Sequence, residues 1–278
     1  MLKKLGELLL PRSVFFRLSH YKHHGYWPSL RQPNSFSEKI LLRKLRPISE
    51  FSLCSDKYLV KDYVKARIDN KHIIESYAVC ETLTPEVYDS LPHSFVMKNN
   101  RGSGMNLIVK NKKEHSFEEL FEISEKWKSI DPGRISKEPH YSLIKPMTIF
   151  EELLKEEGKL VPTDYKIHCF RKAGEFKYFI QVDHDRFVGQ TRDIYDADWN
   201  KLDLRLNIKN SDQKMEKPKN LELMASLAEK ISEGFDYVRV DFYNINGKIY
   251  FGEMTFTPEA GTGRFYPKHY DFDWGKLF

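Results

Sequence analysis

The chain has 278 residues, of which 40% are hydrophobic and 14% aromatic, and carries a formal charge of +5. It is long enough for one large domain or two or three small ones, and too apolar for a disordered chain. The mild positive balance suits a phosphorylated or acidic substrate, or an anionic membrane surface. No zinc-finger spacing, RNP sequence or basic zipper occurs, which excludes the common nucleic-acid readers.

The first residues, MLKKLGELLLPRSVFFRL, have the look of a signal peptide, but Glu7, Pro11 and Arg12 interrupt too short an apolar run. No apolar run approaches the ~20 residues needed to cross a bilayer. Lys3, Lys4, Arg12 and Arg17 mixed with Leu8–Leu10, Phe15 and Phe16 would allow contact with a membrane surface, though such a start more often serves as a docking helix. Cys54, Cys80 and Cys169 are far apart and form no Cys-x-x-Cys, so reduced thiols in a cytoplasmic protein are expected.

Residues 1–50 read as mostly helical, with Asn34-Ser-Phe-Ser37 capping the helix EKILLRKL. His20, His23 and His24 have a spacing that suits zinc, but no cysteine or acid lies near them, so loop or surface is expected. SDKYLVKDYV (55–64) reads as a second helix capped by Ser55 or Asp56. Lys57 then falls in the first turn, where a cation opposes the helix dipole. It is either an ordinary solvated lysine or a phosphate ligand.

Residues 94–110, SFVMKNNRGSGMNLIVK, read as strand, loop, strand. The glycines of Asn99-Asn-Arg-Gly-Ser-Gly104 permit positive φ and bring N–H groups near a phosphate. Lys98 stands at the mouth of this loop and Arg101 inside it. The pattern is neither a Walker loop nor a dinucleotide fingerprint. Ser116–Ile130 is an amphipathic helix and 131–146 is irregular. MTIFEELL (147–154) reads as a buried strand running into a segment able to lie along an adenine. There the backbone of Leu153 and Leu154 would meet the base edge, and the carboxylates of Glu151 and Glu152 the ribose. DYKIHCF and EFKYFIQVDHD pair around Lys172-Ala-Gly174 and present Asp164, Lys166 and His168 on one polar face. Residues 191–199 add Arg192, 207–220 read as a loop, and Leu221–Glu233 is a helix ended by Gly234.

Tyr237–Thr257, YVRVDFYNINGKIYFGEMTFT, reads as strand, turn, strand around Asn246-Gly247. A two-residue turn pairs Ile245 with Lys248 and sends Glu253 to the face opposite Asp241. A three-residue turn ending in a left-handed Gly247 pairs Asn244 with Lys248 and gathers Arg239, Asp241, Phe251, Glu253 and Thr255 on one face. The first would bury a carboxylate beside valines, at a cost of several kcal/mol unless paired, so the three-residue turn is expected. Two carboxylates on adjacent strands then suit Mg²⁺ shared with phosphates. A salt-bridged sheet surface neutralised by Arg239 is the alternative.

Taken together, NSFSEKI, SDKYLVKDYV, FVMKNNRGSGMN, FEELL, PTDYKIHCF, TRDIYDADW and YVRVDFYNINGKIYFGEMTFTPEAG resemble the teichuronopeptide-biosynthesis type of ATP-grasp protein over residues 30 to 275. The resemblance implies an α+β ATP-grasp fold whose lobes clamp ATP and magnesium. Three segments are expected: a helical extension (1–50), a lobe with the glycine-rich lid (51–150) and a lobe with the metal site (151–278). It further implies that Lys57 and Lys98 are phosphate-directed, that Gly102, Ser103 and Gly104 form the lid tip, and that Glu151, Glu152, Leu153 and Leu154 form the adenine hinge. Asp164 would bind ribose with Lys166 beside it, Asp241 and Glu253 would hold magnesium, and Arg239 would lie near the transferred phosphate. Thr255 stands where many relatives carry asparagine, a weaker metal ligand. Arg192 and Arg264 are candidates for gripping an acidic substrate, since arginine bonds a carboxylate bidentately.

The implied activity is a carboxylate–amine ligase working through an acyl phosphate, on a uronic acid and an amino acid of a bacterial surface glycan. A second class stays open: Asp183-x-Asp185 follows an apolar strand, as in metal-dependent glycosyltransferases that hold a nucleotide-sugar. A non-catalytic glycan-binding module is a third, against which Lys98, Asp241 and Glu253 speak.

Overall fold

The computed structural model describes residues 10–156, 162–184 and 189–278. In chain order the main elements are α1 (Arg12–His24), α2 (Phe36–Leu45), α3 (Ser49–Ser55), α4 (Val60–Lys65), β1 (Ser76–Cys80), α5 (Pro85–Ser90), β2 (Phe95–Asn99) and β3 (Asn106–Val109). There follow α6 (Phe117–Ser129), the short α7 (Pro132–Ser136) and α8 (Pro139–Ser142), then β4 (Thr148–Glu151), β5 (Asp164–Lys172), β6 (Glu175–His184), β7 (Thr191–Tyr195) and β8 (Arg205–Leu206). The chain closes with α9 (Leu221–Ile231), β9 (Tyr237–Ile245), β10 (Lys248–Thr255), β11 (Phe265–Tyr266) and α10 (His269–Lys276). Three sheets result, in the orders β1-β4-β2-β3, β10-β9-β5-β6-β7 and β11-β8. No helix among the described residues is long and apolar enough to cross a membrane.

The chain forms two compact units, each discontinuous in sequence. One joins the segment ending at Ile48 to 165–240 and 255–278; the other joins 49–164 to 241–254. Helices α1 and α2 belong to the same unit as α10.

In the first unit, α2 opens on a capping box between Ser35 and Glu38. Its inner face sends Phe36 and Ile40 into a core with Phe170, Tyr237, Phe265, Trp274 and Phe278. Phe36 meets Tyr237 edge-to-face at 4.9 Å and Trp274 at 5.6 Å, so one helix residue locks two other elements. Arg43 on the same helix is spent on the carbonyls of Tyr237 and Phe256 and on Asp236.

In the second unit, Phe95 and Met97 alternate inward along β2 and meet Phe150, Leu83, Val109 and Leu120. Period-2 alternation therefore puts Lys98 on the other face of the sheet. The SDKYLVKDYV segment is not one helix: α3 ends at Ser55, a turn carries Lys57, and α4 begins at Val60.

The hairpin differs from expectation. Asn246 (φ 51°) and Gly247 (φ 81°) both lie in the left-handed region between the end of β9 and the start of β10. That is a two-residue turn, not the three-residue turn expected. Phe242 and Phe251 meet at 6.4 Å, as the two-residue turn requires. Strict alternation would then turn Glu253 away from Asp241 and Tyr243. The burial alternation of β10 breaks after Phe251, with Gly252 and Glu253 both partly exposed and Met254 and Thr255 both buried. Gly252 occupies that point, and a Cβ there would lie 3.1 Å from the Asp241 carbonyl oxygen.

Two buried imidazoles are held neutral. Burial keeps the pKa of His20 and of His168 down to about 3. The unfolded chain takes up these protons near the ordinary value of 6.5. Stability is therefore full above about pH 6.5 and is lost progressively as the pH falls towards 3. The expected outcome is a melting temperature that drops across this window. His20→Phe should flatten the drop, because neither ring nitrogen has a hydrogen-bond partner among the described residues; an unchanged slope would exclude His20 as its source.

Candidate functional site

The densest charge cluster lies on the outer face of β2 and β4. Lys98 pairs with Ile149, and Val96 with Glu151, so Lys98 and Glu151 are diagonal neighbours on one face. Glu151 is buried and ion-pairs with two ammonium groups at once, Lys98 and, at 2.6 Å, Lys61. Lys61 reaches from α4 and also donates to the Ile74 carbonyl (2.8 Å) and the Ser76 hydroxyl (2.6 Å). Burial alone would raise the Glu151 pKa; Lys98 and Lys61 outweigh it and hold the carboxylate ionised below its usual range. Burial pulls Lys98 down, but Glu151, then Tyr243 and Glu253, raise it, so Lys98 stays charged. This corrects one expectation. Glu151 is not a free hinge carboxylate for a ribose but the counter-ion that sets Lys98.

Lys57 is fixed beside this cluster by the loop it serves. Its backbone N–H donates to the Asn100 carbonyl at 2.8 Å, and its ammonium donates to the Gly102 carbonyl. Glu253 lies 3.8 Å from the Lys57 ammonium. Asp56 caps Tyr58 and Leu59 with one oxygen and accepts from the Asn100 amide with the other, joining the two segments. In the loop, Gly102 (φ 69°) has no room for a side chain: a Cβ would lie 2.6 Å from Pro132 Cβ. Ser103 and Gly104 are exposed at the tip. Arg101, inside the loop, is buried and donates to the Lys128 (2.9 Å) and Ile130 (2.6 Å) carbonyls. It anchors the root of the loop.

After β4 the backbone of Glu152 bonds the Glu75 carbonyl at 3.0 Å. Glu152, Leu153 and Leu154 line a cavity of about 460 Å³ with Tyr77, Ser94, Asn246 and Tyr250. Asp241 is buried on β9 and Glu253 is partly exposed on β10. No group of three or more His, Cys, Asp or Glu among the described residues could hold a metal ion by itself. A carboxylate such as Glu253 beside Lys57 suits Mg²⁺, which is usually bound through one or two carboxylates plus phosphate oxygens. The same finding leaves the His20, His23 and His24 cluster without a zinc site.

In the other unit, the residues expected to touch substrate are largely paired with one another. Arg192 is buried and donates to Asp183 (2.5 Å), Glu259 (2.8 Å) and the Leu206 carbonyl (3.3 Å), so it is not free to grip an acid. Asp183 further lies 3.6 Å from Lys166, and Gln181 donates to it. Asp183 is therefore an internal counter-ion, not half of a diphosphate-binding pair, and Lys166 is committed with it. Asp185 lies outside the described residues. Arg239 donates to the Thr255 hydroxyl at 3.0 Å. The hydroxyl expected to help hold a metal thus already serves Arg239 in this structure. Asp164 is buried at the start of β5, and Arg264 is exposed.

Lys61 and the Asp56–Asn100 bond were not found from the sequence. The one available sign was that Lys57 and Lys61, four apart, would share a helix face.

Residues 38–278 match the family described as TupA-like ATP-grasp. Similar solved structures include a D-alanine–D-alanine ligase from Helicobacter pylori, 14% identical over 88% of this chain and 69% of that one, with a TM-score of 0.49. A phosphoribosylamine–glycine ligase from Thermotoga maritima is 16% identical over 79% and 55%, with a TM-score of 0.47. The ATP complex of a D-alanine–D-alanine ligase from Bacillus anthracis is 18% identical over 75% and 56%, with a TM-score of 0.42. The chain thus spans little more than half the length of the last two. No curated protein matches it.

Glu151→Ala should leave two buried ammonium groups without their shared counter-ion. The expected loss is about 3–5 kcal/mol of stability, read by denaturant titration. A loss under about 1 kcal/mol, the size of an exposed pair, would show that the cluster is solvent-screened.

Proposed function

The chain belongs to the TupA-like ATP-grasp family, and from that premise we propose that it is an ATP- and magnesium-dependent carboxylate–amine ligase of bacterial surface-polysaccharide synthesis. The observation that carries this reading is the buried charge cluster Lys61–Glu151–Lys98, with Lys57 under the glycine loop and Glu253 beside it. Such a cluster holds excess positive charge in a dry place, where a triphosphate would be bound and its transferred charge stabilised. Lys57 and Lys98 would grip the phosphates, and Gly102, Ser103 and Gly104 would close over them. The backbone of Glu152, Leu153 and Leu154 would hold the base, with Asp164 at the ribose. Asp241 and Glu253 would hold magnesium, which when bound draws negative charge off the phosphates.

The substrate carboxylate would take the γ-phosphate to give an acyl phosphate and ADP. An amine would then attack the acyl carbon and release phosphate, leaving an amide. Arg239, oriented by Thr255, would stabilise the transferred charge. Arg264, exposed and on a fixed backbone, is the better candidate than Arg192 for holding the acid. We assign a uronic acid and an amino acid as the two substrates on the family resemblance.

Contact with the cytoplasmic membrane surface is part of this proposal. Leu18 (45% exposed), Tyr21 (54%) and Trp27 (52%) stand out on and after α1. Residues 8–37 contain Arg12, Arg17, Lys22 and Arg31 and no acid.

Three outcomes are expected. An ADP-release screen of uronic acids against amino acids should find a pair whose turnover Asp241→Asn abolishes; unchanged turnover would refute the metal assignment. Mg·ATP at 100 times its Kd should stabilise the protein by about 2.7 kcal/mol, whereas stabilisation by a UDP-sugar alone would favour the transferase. Phosphatidylglycerol vesicles should sediment the protein and phosphatidylcholine vesicles should not, with Tyr21→Ala plus Trp27→Ala abolishing the difference.

A further inference from the structure

The turn that follows β10 is strained and held from several sides. Glu259, Ala260 and Gly261 run consecutively in the left-handed region, with φ of 53°, 51° and 69°. That conformation costs an L-residue roughly 1–2 kcal/mol, and two of the three are not glycine. Such strain persists only where the surroundings over-determine it, and it concentrates at functional segments.

Each part of this turn has its own restraint. The Glu259 carboxylate accepts from Arg192 (2.8 Å) and Asn207 (3.0 Å). The Ala260 carbonyl accepts from the Lys44 ammonium at 2.6 Å. The Gly261 carbonyl accepts from His24 Nε2 at 3.1 Å. Behind Gly261 a Cβ would lie 3.0 Å from Ile40 of α2, so the turn is wedged against that helix. His24 is itself packed on the His20 ring, 4.4 Å between centroids, and Arg12 bonds the Lys44 carbonyl at 2.9 Å. Asn207 also carries the restraint onward: its side chain accepts from the Arg264 N–H at 2.8 Å and its own N–H donates to the Arg264 carbonyl at 3.0 Å. The turn and the backbone of Arg264 are thus one rigid piece.

Arg12 and His24 precede the residues that match the family, which begin at 38. We propose that His24 and Lys44 are positioning residues for the acid substrate: they hold the Glu259–Gly261 turn, and through Asn207 the Arg264 backbone, in the geometry that receives a carboxylate. This rests on Arg264 being the carboxylate anchor of the proposed ligase.

The test uses His24→Phe, which keeps the ring and loses the donor, His24→Gln, which restores a donor, and Lys44→Met, which keeps the stem and loses the charge. Hydrogen exchange is followed at the Ala260 and Thr262 amides, which close the turn onto the Thr257 and Glu259 carbonyls. Losing one such bond should speed exchange and raise the KM for the acid about tenfold each, with kcat and the Mg·ATP Kd unchanged and glutamine at 24 restoring both. Unchanged exchange in His24→Phe and Lys44→Met overturns the brace, whatever the substrate proves to be. Faster exchange with an unchanged KM overturns the positioning role, as does a Kd for Mg·ATP that worsens in step with the KM. Failure of the wild-type protein to bind Mg·ATP would strike the ligase reading instead, and the exchange measurement would still decide the brace.

Discussion

One carboxylate shared between two ammonium groups governs the unit that carries the glycine-rich loop. Glu151 sits in the protein interior between Lys61 and Lys98. A single Lys98–Glu151 pair would be neutral and self-satisfied, with little reason to bind a phosphate. Adding Lys61 gives the trio a net positive charge and divides the hold of Glu151 between two partners. Lys98 can then stay protonated while part of its hydrogen-bonding capacity faces outward. Desolvating three charges together is costly, and close geometry together with the carbonyl and hydroxyl partners of Lys61 offsets that cost. Everything that fixes β2 against β4, from the Phe95–Phe150 contact to the Asp56–Asn100 bond, serves to keep this trio in register.

The other unit solves a different problem, that of holding a costly backbone shape. Arg192 and Asp183 look reactive by residue type, yet their burial and mutual bonding make them a frame. Arg192 presents that frame to Glu259, and α1 and α2 close on the same turn through His24, Lys44 and Ile40. Helices that could pass for a dispensable N-terminal extension are structural parts of this unit.

The division between what was readable and what was not follows from the range of each interaction. Lys98, the glycine loop and the two strands that carry Asp241 and Glu253 rest on local patterns, and the structure forms these strands and the loop between β2 and β3. The hairpin turn was misjudged because parity arguments assume unbroken alternation. The alternation of β10 breaks after Phe251, so the turn alone does not fix the face of Glu253. The role of Glu151 was missed because its partners Lys61 and Lys98 stand 90 and 53 residues away in sequence, beyond any pattern of neighbours. Arg192 was misread for the complementary reason, since a buried arginine bonded to a carboxylate and a carbonyl is indistinguishable in sequence from one that waits for an anion. The discontinuous units were invisible because no composition change marks the point where a strand passes from one to the other.

The anchoring of Arg101 has a bearing on how tightly the reaction can be sealed. With its guanidinium tied to the Lys128 and Ile130 carbonyls and Gly102 pressed against Pro132, only Ser103 and Gly104 are left at liberty. Under the proposed ligase chemistry, a cover that small would work as a latch, and would not by itself keep solvent from an energised mixed anhydride. Fidelity would then depend on the second substrate arriving promptly; starved of amine, such an enzyme would spend nucleotide idly, and its waste rate would report how well the remaining walls keep the chamber dry.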